Sequence, residues 1–129
     1  MTTFAVETIK QREKMKQLKF KFDLSSRVAI YVPGTINVNQ ETDNAAQVER
    51  VMSKLSEWFG GATASDARGG WLSQSSGLVI EKVTIIYSYC KEADLQSRFE
   101  DIIALCESVR DDMQQEAVTL EINGQIAFI

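Results

Sequence analysis

The stretch WFGGATASDARGGWLSQSSGLVIEKVTIIYSYC, residues 58–90, holds five of the chain's seven glycines and ends in a dense β-branched and aromatic run. Whether those glycines cradle a phosphate or bend a sheet decides the fold. A phosphate loop follows a strand and opens a helix, so that backbone N–H groups and the helix N-terminus face the anion. Here Gly60-Gly61 follows a helical pattern and precedes a strand pattern, Gly69-Gly70 lies inside a strand, and Gly77 lies in a turn. No Gly-Lys-Ser/Thr follows any of them. The order is that of a sheet.

Within this stretch ATASDARGGWL and GLVIEKVTIIYSYC read as two strands joined by a turn in SQSSG. Along the second, Val79, Val83, Ile85, Tyr87 and Tyr89 face one way, and Ile80, Lys82, Thr84, Ile86 and Ser88 the other. Apolar Ile80 and Ile86 on the second face predict that both faces are partly covered. Two glycines inside a strand predict a bulge or a close backbone approach at Gly69-Gly70.

Working outward, Val48, Val51, Met52, Leu55, Trp58 and Phe59 fall at helical spacing over residues 45–59. Thr42, Asp43 and Asn44 are candidate N-caps, and Gly60 suits a left-handed C-terminal stop. RVAIYVP, ended by Pro33 and Gly34, reads as a strand, and LKFKFDL alternates as another. Downstream, Leu95, Phe99, Ile102, Ile103, Cys106, Val109 and Met113 form the stripe of a second helix over about 92–115. The chain closes on a strand at 118–122, an Asn123-Gly124 hairpin turn and a short returning strand. Strand, helix, strand, strand, helix, strand predicts an α+β fold of the ferredoxin-like βαββαβ type. Its antiparallel sheet would carry both helices on one face, with an extra C-terminal hairpin strand.

At 129 residues, this is one domain's worth of chain. We expect a basic arm over residues 1–24 and a single domain over 25–129. Residues 1–27 carry seven basic against three acidic side chains, and the remainder seven against fifteen, so a basic leader precedes an acidic body. There is no histidine, which removes the commonest general base, metal ligand and pH switch. Cys90 and Cys106 have no redox or metal spacing and lie in core-like segments, predicting two buried free thiols. The N-terminus lacks the apolar segment of a secretory signal, and no apolar run reaches the length of a bilayer span, pointing to the cytoplasm.

ARGGWL places Arg68 and Trp71 beside bare backbone, while Lys82, Tyr87 and Tyr89 lie on the neighbouring strand. These five are the candidate partner- or ligand-binding residues, with Lys14, Lys16, Lys19 and Lys21 of the basic arm as a second surface. A sheet-packed Trp71 and a solvated Arg68 are the structural alternative. Tyrosines on an open sheet face also serve RNA binders, but the acidic body repels phosphates. Asp94, Glu100, Asp101, Asp111 and Asp112 fall on the solvent side of the last helix, where acidic residues commonly maintain solubility. The thiols have no histidine to activate them. No catalytic residue, metal ligand or cofactor is expected.

The segments VAIYVPGTINVN, WFGGATASDARGGWLS, VTIIYSYC and EAVTLEINGQIAFI together resemble a group of small uncharacterised ferredoxin-like proteins of bacterial genomes, plasmids and prophage-like elements. The resemblance covers residues 27–129 and implies the fold and a bacterial mobile-element setting, without implying an activity. The leading expectation is therefore a non-enzymatic protein-interaction module, a homo-oligomer with a protein partner, in an accessory or defence role. Neither nucleic acid nor membrane is expected as a partner. The alternatives are a small-molecule or nucleotide binder using a sheet–helix cavity, with or without catalysis, and then an RNA binder.

Overall fold

The computed structural model describes residues 9–14, 23–36 and 40–129. Its strands are β1 (Ser26–Pro33), β2 (Thr35–Ile36), β3 (Gln40–Glu41), β4 (Thr63–Ser73), β5 (Gly77–Cys90), β6 (Thr119–Ile122) and β7 (Gln125–Phe128). Its helices are α1 (Ala45–Phe59), α2 (Glu92–Ser97) and α3 (Phe99–Asp112). Residues 9–14 are also helical and exposed. The main sheet is antiparallel with strand order β4-β5-β1-β6-β7, and β2 pairs with β3 separately. The α1 crossover carries the chain from β1 to β4, leaving one position between them that β5 fills. The second crossover, through α2 and α3, carries it past β1 to β6. This is an α+β fold with an antiparallel sheet and helices.

Strand alternation puts Val28, Ile30, Val32, Ile86, Cys90 and Leu120 on the same side. There they form one buried cluster with Val51 and Leu55 of α1, Leu95 of α2, and Ile102, Leu105, Cys106 and Val109 of α3. Both crossovers therefore pack on that face. Fully burying each large aliphatic chain contributes about 1.5–3 kcal/mol, so this layer supplies most of the fold's driving force.

The helix ends follow their chemistry. Gly60 takes φ +87° and its N–H donates to the Ser56 carbonyl at 2.8 Å, closing α1. At the other end the three candidate caps divide the work. Asn44 stands at the N-cap position, but Asp43 Oδ1 accepts from the Ala45 N–H at 2.9 Å. The Asn44 amide is used elsewhere, as described below. The single helix expected over 92–115 is two helices broken at Arg98. Ser97 Oγ donates back to the Asp94 carbonyl at 3.0 Å, competing with the regular helical ladder at the break. Asn123 and Gly124 take φ +51° and +84°, the two left-handed residues that a tight hairpin turn requires, and the returning strand β7 forms the sheet's far edge.

One expectation about the hairpin is corrected and another holds for only part of it. The ladder runs through Gly69↔Glu81 and Gly70↔Ile80 without a bulge, and a methyl group built on Gly69 would meet nothing within 4 Å. Over residues 83–88 of β5 one face is buried and the other half-buried, but this coverage does not extend along the whole strand. β1 ends opposite Val83, so residues 77–82 and their partners 68–73 continue as a two-stranded ribbon with no third strand among the described residues. Ile86 is fully buried, whereas Ile80 on the same face is 59% exposed. The turn out of β1 is made by Gly34, whose N–H donates to the Lys82 carbonyl at 2.8 Å. A Cβ there would lie 2.9 Å from that oxygen, so only glycine fits. Most of the strand expected in LKFKFDL lies outside the described residues, and Asp23 and Leu24 are irregular.

Candidate functional site

Where β1 gives way to the ribbon, a cavity of about 450 Å³ opens between the Gly34 turn, the segment before α1, and the middle of β4 and β5. Gly34, Thr42, Asn44, Asp66, Ala67, Arg68, Lys82, Val83 and Thr84 line it. Asn44 Nδ2 donates to the Pro33 carbonyl and to Thr84 Oγ1, both at 3.2 Å, tying the start of α1 to the end of β1 and the middle of β5. Thr84 Oγ1 in turn donates to Asp66 Oδ1 at 3.5 Å. The wall is therefore polar and pinned by its own hydrogen bonds, and strand parity places Asp66, Arg68, Lys82 and Thr84 on one face.

Arg68 and Lys82 are directly opposite each other across the ladder. Lys82 Nζ reaches Glu41 Oε1 at 3.8 Å, a loose pair with both side chains 73% exposed. Among the described residues, Arg68 has no salt bridge. Like charges directly opposite on a sheet repel, so this arrangement favours an anion.

A second cavity, of about 220 Å³, lies across the Pro33–Thr35 segment and is lined by Tyr31, Glu81 and Gln115 among others. Gln115 Nε2 donates to the Thr35 carbonyl at 2.9 Å. One carboxylate oxygen of Glu81 is buried without a hydrogen-bond partner among the described residues.

The open face of the sheet carries a separate cluster. The Arg27 guanidinium lies 4.2 Å from the centre of the Tyr87 ring and 5.8 Å from that of Tyr89, and its Nε donates to Glu121 at 3.1 Å. Tyr31 Oη donates to the other Glu121 oxygen at 3.2 Å. The Tyr89 hydroxyl and Glu121 hold Arg27 charged, above its ordinary range, while burial and Glu121 push the Tyr31 phenol up. Tyr87 and Tyr89 meet edge to face at 5.9 Å. A hollow of about 540 Å³ beside them is lined by Leu24, Phe59 and the Gly60-Gly61 backbone.

The five sequence candidates thus divide into three places. Arg68 and Lys82 share the 450 Å³ cavity. Tyr87 and Tyr89 belong to the Arg27 cluster. Trp71 pairs with Val79 on the ribbon, eight residues or roughly 26 Å along the strand from Tyr87, and is 46% exposed. Of the basic arm, Lys14 is exposed in the 9–14 helix, and Lys16, Lys19 and Lys21 lie outside the described residues. Asp66, Asn44, Thr84 and Glu81 were not singled out from the sequence as site residues. The signal that points to Asp66 is its parity with Arg68 in ASDAR, two residues apart on one strand face.

Both cysteines are free and buried. Burial pushes the Cys106 thiol up to about 12, with Glu107 adding to the shift, and burial with Asp94 raises Cys90. Neither is a thiolate nucleophile near neutral pH. Among the described residues no group of three His, Cys, Asp or Glu side chains is placed to hold a metal ion, and no helix is long and apolar enough to cross a membrane.

No family model and no curated protein matches the chain. Two solved structures do match in fold. A phage SAM lyase in complex with S-methyl-5′-thioadenosine has 20% identity and a TM-score of 0.60, covering 86% of this chain and 95% of its own. A phage SAM lyase in the apo state has 20% identity and a TM-score of 0.62, covering 87% of this chain and 94% of its own. Both neighbours are structures of an enzyme, and the expectation of a non-enzymatic interaction module is corrected on that finding. That expectation rested on a resemblance without a catalytic signature and on the lack of a histidine to activate a base or nucleophile.

Proposed function

We propose that this chain binds S-adenosylmethionine in the 450 Å³ cavity and cleaves it to S-methyl-5′-thioadenosine. The observation that carries the reading is the end-to-end fold match to phage SAM lyase, one structure of which holds that thioadenosine. The cavity supports it, having the volume of a small-molecule site and polar groups of both charges. The strand order β4-β5-β1-β6, with β7 added, supports a ferredoxin-like arrangement over residues 25–129. The phage setting of the neighbours supports a mobile-element protein.

The chemistry suits a chain without histidine. A sulfonium carries its own leaving group: when the bond from Cγ to sulfur breaks, the electron pair stays on sulfur and a neutral thioether departs. In our scheme the substrate's own carboxylate oxygen attacks Cγ as that bond breaks. The products are S-methyl-5′-thioadenosine and a five-membered lactone that keeps the ammonium group. No water enters, no proton is transferred, and charge is conserved. The protein's task is to hold the flexible amino-acid arm in the closing geometry, the kind of positioning that lowers barriers without a general base. Asp66 is placed to accept hydrogen bonds from the ribose hydroxyls, and Asn44 and Thr84 fix the wall behind it.

Thermal unfolding with added ligand tests the binding half. A ligand at one hundred times its dissociation constant stabilises the native state by about 2.7 kcal/mol. S-adenosylmethionine and S-methyl-5′-thioadenosine are each expected to raise Tm by several degrees, with ATP raising it far less. No shift with either adenosyl compound overturns the assignment.

The ribbon supports a homo-oligomer. Trp71, Leu72, Leu78 and Ile80 are all exposed on it, Leu72 at 80%, and among the described residues β4 is an edge strand paired with β5 alone. Exposed apolar surface on an open edge favours packing against a second copy. Native mass spectrometry is expected to find an oligomer that Leu72→Asp converts to monomer. A monomeric parent protein contradicts this.

A further inference from the structure

We infer that Arg68 and Lys82 clamp the ligand's α-carboxylate, so that the site selects adenosyl compounds bearing an amino-acid arm over those without one. The inference rests on the reading that the 450 Å³ cavity holds S-adenosylmethionine, and adds which end lies where and what sets specificity.

The first support is register. Arg68 and Lys82 are opposed across the β4–β5 ladder, which brings directly opposite Cβ atoms to about 4.5–5.5 Å. Two cations held so close destabilise the ribbon unless something anionic lies between them. The protein supplies little: Glu41 reaches Lys82 at 3.8 Å through solvent-exposed side chains, and Arg68 has no ion pair among the described residues. An exposed pair of that length contributes almost nothing. A carboxylate matches the unmet need, because the guanidinium fork binds its two oxygens side by side while the lysine supplies a further donor.

The second support is polarity along the cavity. Asp66 lies two residues before Arg68 on the same strand face, and Thr84 opposite it bonds to both Asp66 and Asn44. The wall therefore runs from an anionic end with hydroxyl and amide groups to a doubly cationic end. S-adenosylmethionine has the same sequence of groups: ribose hydroxyls, then the sulfonium, then the carboxylate. Reversing the ligand would set its carboxylate against Asp66 and leave Arg68 and Lys82 unpaired.

Two ligands that lack a sulfonium separate these effects from turnover. S-adenosylhomocysteine carries the amino-acid arm, and S-methyl-5′-thioadenosine does not. Calorimetric titration of the full chain is expected to show S-adenosylhomocysteine binding about 10–100-fold more tightly, the range for hydrogen bonds to a charged group. In Arg68→Gln/Lys82→Gln that preference is expected to vanish while affinity for S-methyl-5′-thioadenosine stays the same. The retained affinity also reports that the double variant is folded. Should both ligands bind and the variant keep its preference, the clamp is wrong and the site assignment stands. If neither ligand binds the parent protein, the assignment and the clamp fall together.

Discussion

Ile86→Ala is expected to lower the free energy of unfolding by about 2–5 kcal/mol, and Ile80→Ala by less than about 1 kcal/mol. The two isoleucines lie on the same strand and the same face, and they differ in what covers them. Ile86 sits between Ile30 of β1 and Ala64 of β4 in register, with Val51 and Leu55 of α1 in its cluster, and is fully buried. Truncation removes the transfer energy of its side chain and leaves a void that close-packed neighbours fill only in part. Ile80 lies on the ribbon beyond the last residue of β1 and is 59% exposed. Denaturant melts of both variants in the monomeric Leu72→Asp background, where no second copy covers the ribbon, measure the contrast. Equal losses would show that the ribbon is covered in solution as thoroughly as the core.

The largest functional effect of a single change is expected at Asp66. Asp66→Asn should reduce kcat/KM for S-adenosylmethionine cleavage by about 10–100-fold. The argument is that a carboxylate accepting from ribose hydroxyls makes charge-assisted hydrogen bonds, roughly twice as strong as those of a neutral amide. Asp66 is exposed on an edge strand and among the described residues makes one long side-chain hydrogen bond, from Thr84 at 3.5 Å, so stability should change by less than about 0.5 kcal/mol. A rate loss without a stability loss places the residue in the site. An unchanged rate places the nucleoside elsewhere, and the 540 Å³ hollow beside Tyr87 and Tyr89 becomes the next candidate.

Most secondary structure was legible because local signals agreed with packing. The stripe from Val48 to Phe59, the Gly60 stop and the Asn123-Gly124 turn each state a backbone geometry in adjacent residues. The break at Arg98 was missed because Ser97's bond to the Asp94 carbonyl is a weak local competitor inside a convincing apolar stripe. The open end of β5 was not foreseen, for a different reason. Ile80 and Ile86 look equivalent in sequence, and only the end of β1, set by Pro33 and Gly34, distinguishes them. The candidate site was half legible. Arg68 and Lys82 were named separately, but their opposition depends on strand register. Asn44 was seen as a helix cap, and its actual bonds to Pro33 and Thr84 depend on tertiary placement. The expected bulge at Gly69-Gly70 did not form because both glycines fit the regular ladder.

The most direct test of the central claim is to incubate the full-length protein with S-adenosylmethionine and quantify the adenosyl products by mass spectrometry, against a protein-free control and Asp66→Asn. The account predicts S-methyl-5′-thioadenosine and the lactone accumulating together in equal amounts, well above the control and slowed by the variant. Unconsumed S-adenosylmethionine, or a product other than the thioadenosine, would contradict it.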